Sequence, residues 1–462
     1  MDSICAIATG QGGAIGIIRV SGDGAITIAD SIFTPAAGGL PLSERKAYTI
    51  AYGIIRDGDG TVIDDVLVSI FRAPHSYTGE DGVEISCHAS TYVLQKVMQL
   101  LIGHGCRSAE PGEYTRRAFV NGKMDLSQAE AVADLIASTS AAAHRMAVNQ
   151  MRGAFSRQLS TLRDRLLNMA SLMELELDFS DHEDLQFANR GELDTIAADV
   201  ETAVSRLAAS FGTGNAIKKG IPVAIVGAPN VGKSTLLNAL VGDDRAIVSD
   251  ISGTTRDTIE DSIVIGGIRF RIIDTAGLRD TTDKIEAMGI ERSLRAMAKA
   301  HIVLAVCEYG DDDMAQLHTR MRSHLEGKKA VLVINKCDKA GGDASFASSN
   351  EKYGDGWSGI LHISALNGTN IDALKASLVR LADMHAATDA DVIVTNARHY
   401  EALTLALDDI RRVRQGLASG VPSDLVCDDL RQCLRHLGDI TGGEITSQET
   451  LNNIFSHFCI GK

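Results

Sequence analysis

Gly227-Ala228-Pro229-Asn230-Val231-Gly232-Lys233-Ser234 is the stretch that decides how this chain reads. It has the pattern Gly, four residues, then Gly-Lys-Ser. The apolar run Val223–Val226 precedes it and Thr235–Leu240 follows. The run reads as a buried strand and the following segment as a helix, which is the context this motif requires. There the N–H groups of the turn and the helix N-terminus converge on one point and favour an anion. Lys233 is then placed to reach β- and γ-phosphates, and the Ser234 hydroxyl to bind Mg2+. The alternative, a chance Gly-rich loop, is disfavoured by the flanking elements.

Three further stretches follow in order. Asp274-Thr275-Ala276-Gly277 ends the run Ile272-Ile273, where an Asp can hold a metal shell and the Gly277 N–H can meet a γ-phosphate. Asn335-Lys336-Cys337-Asp338 ends Val331–Ile334. A carboxylate there accepts from guanine N1–H and the exocyclic amine together, a donor pair that adenine lacks. Ser364-Ala365-Leu366 ends Ile360–Ile363 and can close over the base. Each motif alone is weak. Four at successive strand ends match the ligand edge of an open α/β sheet. The set resembles a GTPase domain of the translation-factor-like class, with GTP as the expected nucleotide.

The 462 residues imply two to four domains. Hydrophobic content is 45%, enough for real cores, and the formal charge of −15 argues against binding nucleic acid by global charge. Any RNA contact must be a local basic patch. The eight cysteines are scattered without a CxxC pair, which suits a reduced, cytoplasmic chain without a zinc site or disulfide framework. No apolar run of about 18 residues is present, so neither a signal peptide nor a membrane span is expected.

Residues 1–118 alternate short apolar runs with Gly-containing turns, the pattern of an α+β domain. Strands are expected at Ile4–Ala8, Ala14–Val20, Ala47–Ile54, Val62–Phe71 and Val83–Cys87. Helices are expected after Ser21-Gly22 and near Thr91, the second with Tyr92, Leu94, Val97, Met98 and Leu101 on one face. From 119 to 216 the spacing is helical: Leu126, Ala129, Val132, Leu135 and Ile136, then Met146 and Met151, then Leu159 through Leu175. Beyond a polar break at 180–192, another helix carries Ile196, Val200, Val204 and Leu207, and Phe211–Asn215 reads as its terminating turn. The nucleotide-binding unit spans 217–381 and contains a hairpin turning at Gly266-Gly267. Residues 382–462 are helical again, with Leu403, Leu407 and Ile410 on one face and Leu425, Leu430, Leu434 and Leu437 on another. The expectation is one helical domain built from two distant segments with the α/β unit inserted. Two separate helical domains are the alternative.

Ras-type GTPases orient the attacking water with a Gln directly after the DTAG stretch. Here that position is Leu278, which has no hydrogen-bonding group. Arg279, Asp280, Asp283 and Glu286 are the nearby candidates, and residue chemistry alone does not choose among them.

Several strings are highly specific together. GTTRD (Gly253–Asp257), DTAGLR (Asp274–Arg279), TGEDGVE (Thr78–Glu84), PGEYTRRAF (Pro111–Phe119), NGKMDLSQAEA (Asn121–Ala131) and the terminal FCIGK (Phe458–Lys462) resemble the tRNA-modification GTPases of the MnmE (TrmE) family. The resemblance runs from about residue 4 to the end. Gly82 stands as an apparent extra residue before Glu84, and Ser249 stands where Thr is common.

The resemblance implies a folate-binding-like N-terminal domain that mediates homodimerisation, a central helical domain and an inserted Ras-like GTPase domain. It implies 5-formyl- or 5,10-methylene-tetrahydrofolate contacts at Arg19, Glu84, Lys123 and Lys462. It also implies tRNA as substrate and a heterotetramer with a flavin-dependent partner that supplies FAD. Together the two proteins would place an aminomethyl or carboxymethylaminomethyl group on C5 of the wobble uridine. GTP hydrolysis would accompany K+-dependent G-domain dimerisation. K+ would be held by Asn230, Ser249, Ile251 and Thr254, and Mg2+ by Ser234 and Thr255. The nucleotide set comprises Asn230, Val231, Gly232, Lys233, Ser234 and Thr235, then Ser249, Asp250, Ile251, Ser252, Gly253, Thr254 and Thr255. Asp274, Thr275, Ala276, Gly277, Asn335, Lys336, Asp338, Ser364, Ala365 and Leu366 complete it. Glu286 matches the water-orienting residue, with Asn230 and Arg279 beside it in catalysis. Cys459, near the folate by resemblance, is either a reactive thiol or a small apolar plug beside Phe455 and Phe458.

Two other readings compete. A GTP-switched ribosome-assembly factor shares the nucleotide motifs, but the mixed-charge helical C-terminus disfavours it. A folate-dependent aminomethyltransferase with a regulatory GTPase is the third.

Overall fold

The computed structural model describes residues 2–10, 12–36, 38–178, 189–242, 261–273, 286–310, 325, 328–340, 357–382, 392–443, 451, 454–456, 458 and 461. The chain forms two compact units. One comprises Met1–Ala133, Gln150–Ile196 and Gln415–Lys462; the other comprises Asp134–Asn149 and Ala197–Arg414.

In the first unit, alternating apolar residues build a seven-stranded sheet. Its strands are β1 (Ile4–Ile7), β2 (Ile15–Ser21), β3 (Phe33–Pro35), β4 (Thr49–Arg56), β5 (Val62–Phe71), β6 (Gly82–His88) and β7 (Arg107–Ser108). They are ordered β3-β4-β5-β6-β2-β1-β7. The inward residues of β5 (Val66, Val68, Ile70) pack with Ile18, Val20 and Ile85 beneath α1 (Ala25–Ile32) and α2 (Thr91–Gly103). Each such aliphatic side chain contributes about 1.5–3 kcal/mol by leaving water. On the opposite face Ile15, Ile50, Tyr52 and Leu67 are exposed. Register aligns Tyr52 with Leu67, Leu67 with Ser86, and Ser86 with Ile17 across that face. Gly82 opens β6 opposite Ser21 and Phe71, so Glu84 falls opposite Arg19.

Four helices follow in chain order: α3 (Glu113–Val120), α4 (Leu126–Ala137), α5 (Ala141–Met151) and α6 (Ala154–Asp178). Next come α7 (Arg190–Ala209) and α8 (Phe211–Lys219). The apolar stripe expected on α6 buries Leu159, Leu162, Leu166 and Met169, and α6 packs along α13 (Ser423–Thr441). Four expected face residues lie outside their stripes: Tyr92, Ile136, Leu175 and Leu425 are exposed. On α2 and α13 the next residues, Val93 and Val426, are buried instead.

Phe211–Asn215 is not a turn; it opens α8. Gly214 is there for close approach, since a Cβ would lie 2.1 Å from the Val394 carbonyl oxygen. The neighbouring Ser210 hydroxyl accepts the Val394 N–H at 3.0 Å.

The second unit contains the sheet β13-β12-β11-β8-β10-β9. Its strands are β8 (Ile221–Val226), β9 (Asp261–Ile265), β10 (Ile268–Ile273), β11 (Ile302–Glu308), β12 (Lys329–Asn335) and β13 (Gly359–His362). All described pairs are parallel except β9–β10. That hairpin turns on Gly266 and Gly267, both at positive φ (59° and 77°), as a type I′ turn demands. Helices α9 (Lys233–Val241), α10 (Glu286–Lys299) and α11 (Ile371–Leu381) belong to this unit, and α12 (Ala397–Ser419) follows in the chain. The run Ile302–Cys307 on β11 is buried throughout, as a strand covered on both faces should be.

Candidate functional site

The phosphate loop leaves the C-terminal end of central strand β8. Its first glycine is set by space: a Cβ on Gly227 would lie 2.1 Å from the Val306 carbonyl oxygen. Asn230 and Gly232 adopt positive φ (63° and 93°), turning the chain into α9. A Cβ on Gly232 would lie 2.3 Å from Asn335 Nδ2. Lys233 opens the helix and donates from Nζ to the carbonyls of Gly227 (2.9 Å) and Ala228 (2.6 Å). Burial lowers its pKa from the usual lysine range, the direction expected of a desolvated cation. An ammonium with a donor left over at a helix N-terminus fits a phosphate group.

The base end is joined to this loop through Asn335. Its amide, 2% exposed, donates from Nδ2 to Val231 O at 2.9 Å and accepts the Ala365 N–H at 2.9 Å. One residue thus ties the phosphate loop to the Ser364–Leu366 stretch. Ser364 donates to Asp338 Oδ1 at 2.6 Å, fixing the carboxylate. Lys336, at φ 64°, pairs with Glu308 at 2.6 Å, and Lys339 takes the other Glu308 oxygen at 2.6 Å. Glu308 was not singled out by sequence; it only ends an apolar run. Leu366 is 78% exposed, leaving an apolar side chain open to a ligand.

The structure brings Asn230, Val231, Gly232, Lys233, Ser234 and Thr235 into one loop and helix start. It gathers Asn335, Lys336, Asp338, Ser364 and Ala365 at adjacent strand ends. Ser249, Asp250, Ile251, Ser252, Gly253, Thr254, Thr255, Asp274, Thr275, Ala276, Gly277, Arg279, Cys459 and Lys462 lie outside the described residues. Glu286 opens α10. Among the described residues no group of three or more His, Cys, Asp or Glu could hold a metal. The Ser234 hydroxyl and Asn230 amide suit Mg2+ and K+ only beside a nucleotide's own oxygens.

A second constellation lies on the open face of the N-terminal sheet. Arg19 meets Glu84 through Nε (2.9 Å) and Nη2 (2.8 Å). Its guanidinium carbon sits 5.7 Å from the Tyr77 ring centre and 5.5 Å from that of Tyr114. The Tyr114 hydroxyl donates to the Arg19 carbonyl at 2.8 Å, and Arg19 Nη1 donates to Gly461 O at 3.3 Å. Lys123 donates to Pro74 O at 2.9 Å and packs against Gly79, on the loop that carries Tyr77.

Residues 126–459 match the family described as the MnmE helical domain, and residues 3–123 match the GTP-binding protein TrmE N-terminus. The tRNA modification GTPase MnmE of Bacteroides fragilis (strain ATCC 25285) is 55% identical over all of this chain and 99% of its own length. Its namesake in Parabacteroides distasonis is 54% identical over the full length of both chains. The chain belongs to the MnmE family of tRNA modification GTPases. Solved structures add little: a variant of Aquifex aeolicus Era bound to GDP.AlF4- is 25% identical, covers 40% of this chain and 65% of that one, and reaches a TM-score of 0.27. As an MnmE-family member the protein is a GTP hydrolase of tRNA modification.

The MnmE-type N-terminal unit also contains an ion cluster that sequence reading missed. Glu113 (1% exposed) accepts from Arg107 at 2.7 and 3.0 Å, from Arg117 at 3.0 and 3.3 Å, and from the Glu110 N–H at 2.8 Å. Arg117 also reaches Asp2 at 2.8 Å and Glu80 at 3.1 Å. Burial pushes the Glu113 carboxyl up, but the Arg107 bonds, the Glu110 amide and Arg117 together hold it at about 2. The cluster orders α3, from which Tyr114 reaches Arg19.

Proposed function

We propose that the protein modifies C5 of the wobble uridine of certain tRNAs, adding an aminomethyl or carboxymethylaminomethyl group. It would act with a flavin-dependent partner protein that carries FAD and draw the carbon from 5-formyl- or 5,10-methylene-tetrahydrofolate. The observation that carries this reading is the Arg19–Glu84 pair close to the rings of Tyr77 and Tyr114 and beside Gly461 of the FCIGK stretch. The exposed Tyr77 ring suits a flat pterin, while Tyr114 is fully buried and only backs Arg19, and a carboxylate suits the pterin's donor-rich edge. Lys123 and Lys462 would meet the glutamate tail, and Cys459 would lie nearby.

Two copies would meet through the N-terminal unit. The exposed Ile15, Ile50, Tyr52 and Leu67 on one sheet face support that reading, since clustered exposed apolar side chains suit a protein interface. Residues 119–216 and 382–462 would form the helical domain around the GTPase unit at 217–381. Work in the cytoplasm fits the reading, and among the described residues no helix is long and apolar enough to cross a membrane.

In the GTPase unit Ser234 and Thr255 would hold Mg2+, and Asn230 with Ser249, Ile251 and Thr254 would hold K+. A monovalent cation there supplies the charge neutralisation that an arginine finger gives elsewhere. Because Leu278 cannot orient water, Glu286 would do so, with Arg279 near the developing charge.

Mass spectrometry of wobble nucleosides tests the proposal. tRNA from a deletion strain should lack the C5 modification and regain it when this chain is supplied. Unmodified tRNA after complementation with expressed, GTP-hydrolysing protein would overturn it.

A further inference from the structure

We propose that Glu308 is a positioning residue for guanine recognition: by pinning Lys336 and Lys339 it holds the turn that presents Asp338 to the base. That role rests on the reading of Asp338 as the guanine contact.

Glu308 is the last residue of β11 and pairs with Asn335, the last residue of β12. The Tyr309 N–H donates to the Asn335 carbonyl at 2.9 Å, so the chain leaves both strands from one fixed point. The Asn335 side chain is itself tied to Val231 and Ala365. Lys336 then turns the chain at φ 64°, a left-handed conformation that a residue with a Cβ keeps only where its surroundings hold it. Cys337 is held from the far side, its N–H donating to the Ile363 carbonyl at 3.1 Å. Asp338 and Lys339 lie in the short turn Cys337–Ala340.

One carboxylate closes this turn. Lys336 Nζ donates to Glu308 Oε2 and Lys339 Nζ to Oε1, each at 2.6 Å. The two lysines bracket Asp338, two residues before it and one after. Their bonds hold the Glu308 carboxyl below the usual carboxylate range, Lys336 first and then Lys339. The Glu308 side chain is 32% exposed and that of Lys339 59%, and pairs this open to solvent add little to stability. The consequence of this one is geometric. Ser364 fixes one oxygen of Asp338; the lysines fix the backbone that carries it. Accepting from N1–H and the exocyclic amine of one base needs both oxygens in place together, so a shifted backbone loses the paired contact.

Titration of the full-length protein with GDP and with inosine diphosphate at fixed Mg2+ tests this. The two ligands carry the same phosphates and differ at the exocyclic amine, so the ratio of their affinities separates the base contact from the phosphate loop. Wild type should prefer GDP by about tenfold or more, the scale of one hydrogen bond to a charged group. Glu308→Gln, which keeps the size and removes the charge, should reduce that preference to about threefold or less. Lys339→Ala should shift it in the same direction, and the double variant should match Glu308→Gln alone, because both act through one carboxylate. A general loosening of the unit would weaken both nucleotides equally and leave the ratio unchanged. A GDP preference in Glu308→Gln within twofold of wild type, or single losses that multiply in the double variant, would overturn the role of Glu308 and leave Asp338 on the base. A wild-type ratio near one would remove the Asp338 contact and the role of Glu308 with it.

Discussion

Replacing Glu113 with Gln should produce a stability loss with a defined pH signature. The carboxyl sits at about 2 in the folded chain against an ordinary 4.5. A depressed carboxyl contributes stability that is complete above 4.5 and disappears as pH falls towards 2. The interval of about 2.5 pH units corresponds to about 3 kcal/mol at 1.36 kcal/mol per unit. That meets the low end of the roughly 3–5 kcal/mol expected when one partner of a buried ion pair is removed. The low end is appropriate because Arg107 is 44% exposed and its pairing is screened, whereas Arg117 is 5% exposed and loses a buried counter-charge. Urea titrations of wild type and Glu113→Gln, read by protease protection of the N-terminal 120 residues, supply the measurement. By linkage the gap should be about 3 kcal/mol at pH 7, nearly unchanged at pH 5, and less than about half that at pH 3. A gap independent of pH between 6 and 3, or one under about 1 kcal/mol at pH 7, would refute the assignment of the depressed carboxyl to this cluster.

Asp338→Asn should trade GTP for xanthosine triphosphate, whose C2 oxygen suits the new amide donor; unchanged GTP affinity in a competition titration would remove Asp338 from the base contact. Lys233→Ala should weaken GTP binding by more than tenfold, over about 1.4 kcal/mol by calorimetry at fixed Mg2+, and binding within twofold of wild type would contradict the cradle. Glu286→Ala should keep GTP affinity and lower kcat by roughly 10²–10⁴. Asn230→Ala should erase any rate difference between KCl and NaCl, and equal wild-type rates in both salts would leave the K+ site without support.

Periodicity revealed what was amphipathic and missed what was not. Apart from β3, β7 and β11, the strands of both sheets follow from short apolar runs or alternation, and the Gly-Gly hairpin from turn chemistry. Helix α3 was not expected, because its buried positions include Glu113, Thr115 and Arg117 as well as Tyr114 and Ala118, so no apolar stripe marks it. The short strands β3 and β7 are too brief for a pattern. Phe211–Asn215 misled because two glycines in five residues suggest a turn, whereas Gly214 serves a backbone approach from Val394, far along the chain. The nucleotide motifs were legible since each is local. The bonds that join them, Asn335 to Val231 and Ala365, and Glu308 to both lysines, connect residues whose proximity only the folded sheet creates.

Those bonds also bear on how the ligand contacts can be tested. Lys233 and Asp338 each already have a protein partner, yet keep capacity in reserve. Lys233 spends two of its three donors on loop carbonyls. Asp338 receives Ser364 on one oxygen and retains lone pairs on both. An amide at 338 keeps an oxygen for the Ser364 hydroxyl, so Asp338→Asn leaves the Ser364 contact in place and changes only what is offered to the base. Lys233 differs: alanine there deletes the bonds to Gly227 and Ala228 along with the phosphate contact, so part of its effect is loss of loop order. The two variants therefore carry unequal weight. A specificity switch at 338 reports on recognition alone, while a loss at 233 does so only if the loop's glycines, wedged against Val306 and Asn335, hold its shape without the lysine. Hydrogen exchange across 227–235 in Lys233→Ala decides that point. Protection equal to wild type assigns the whole affinity loss to the missing charge.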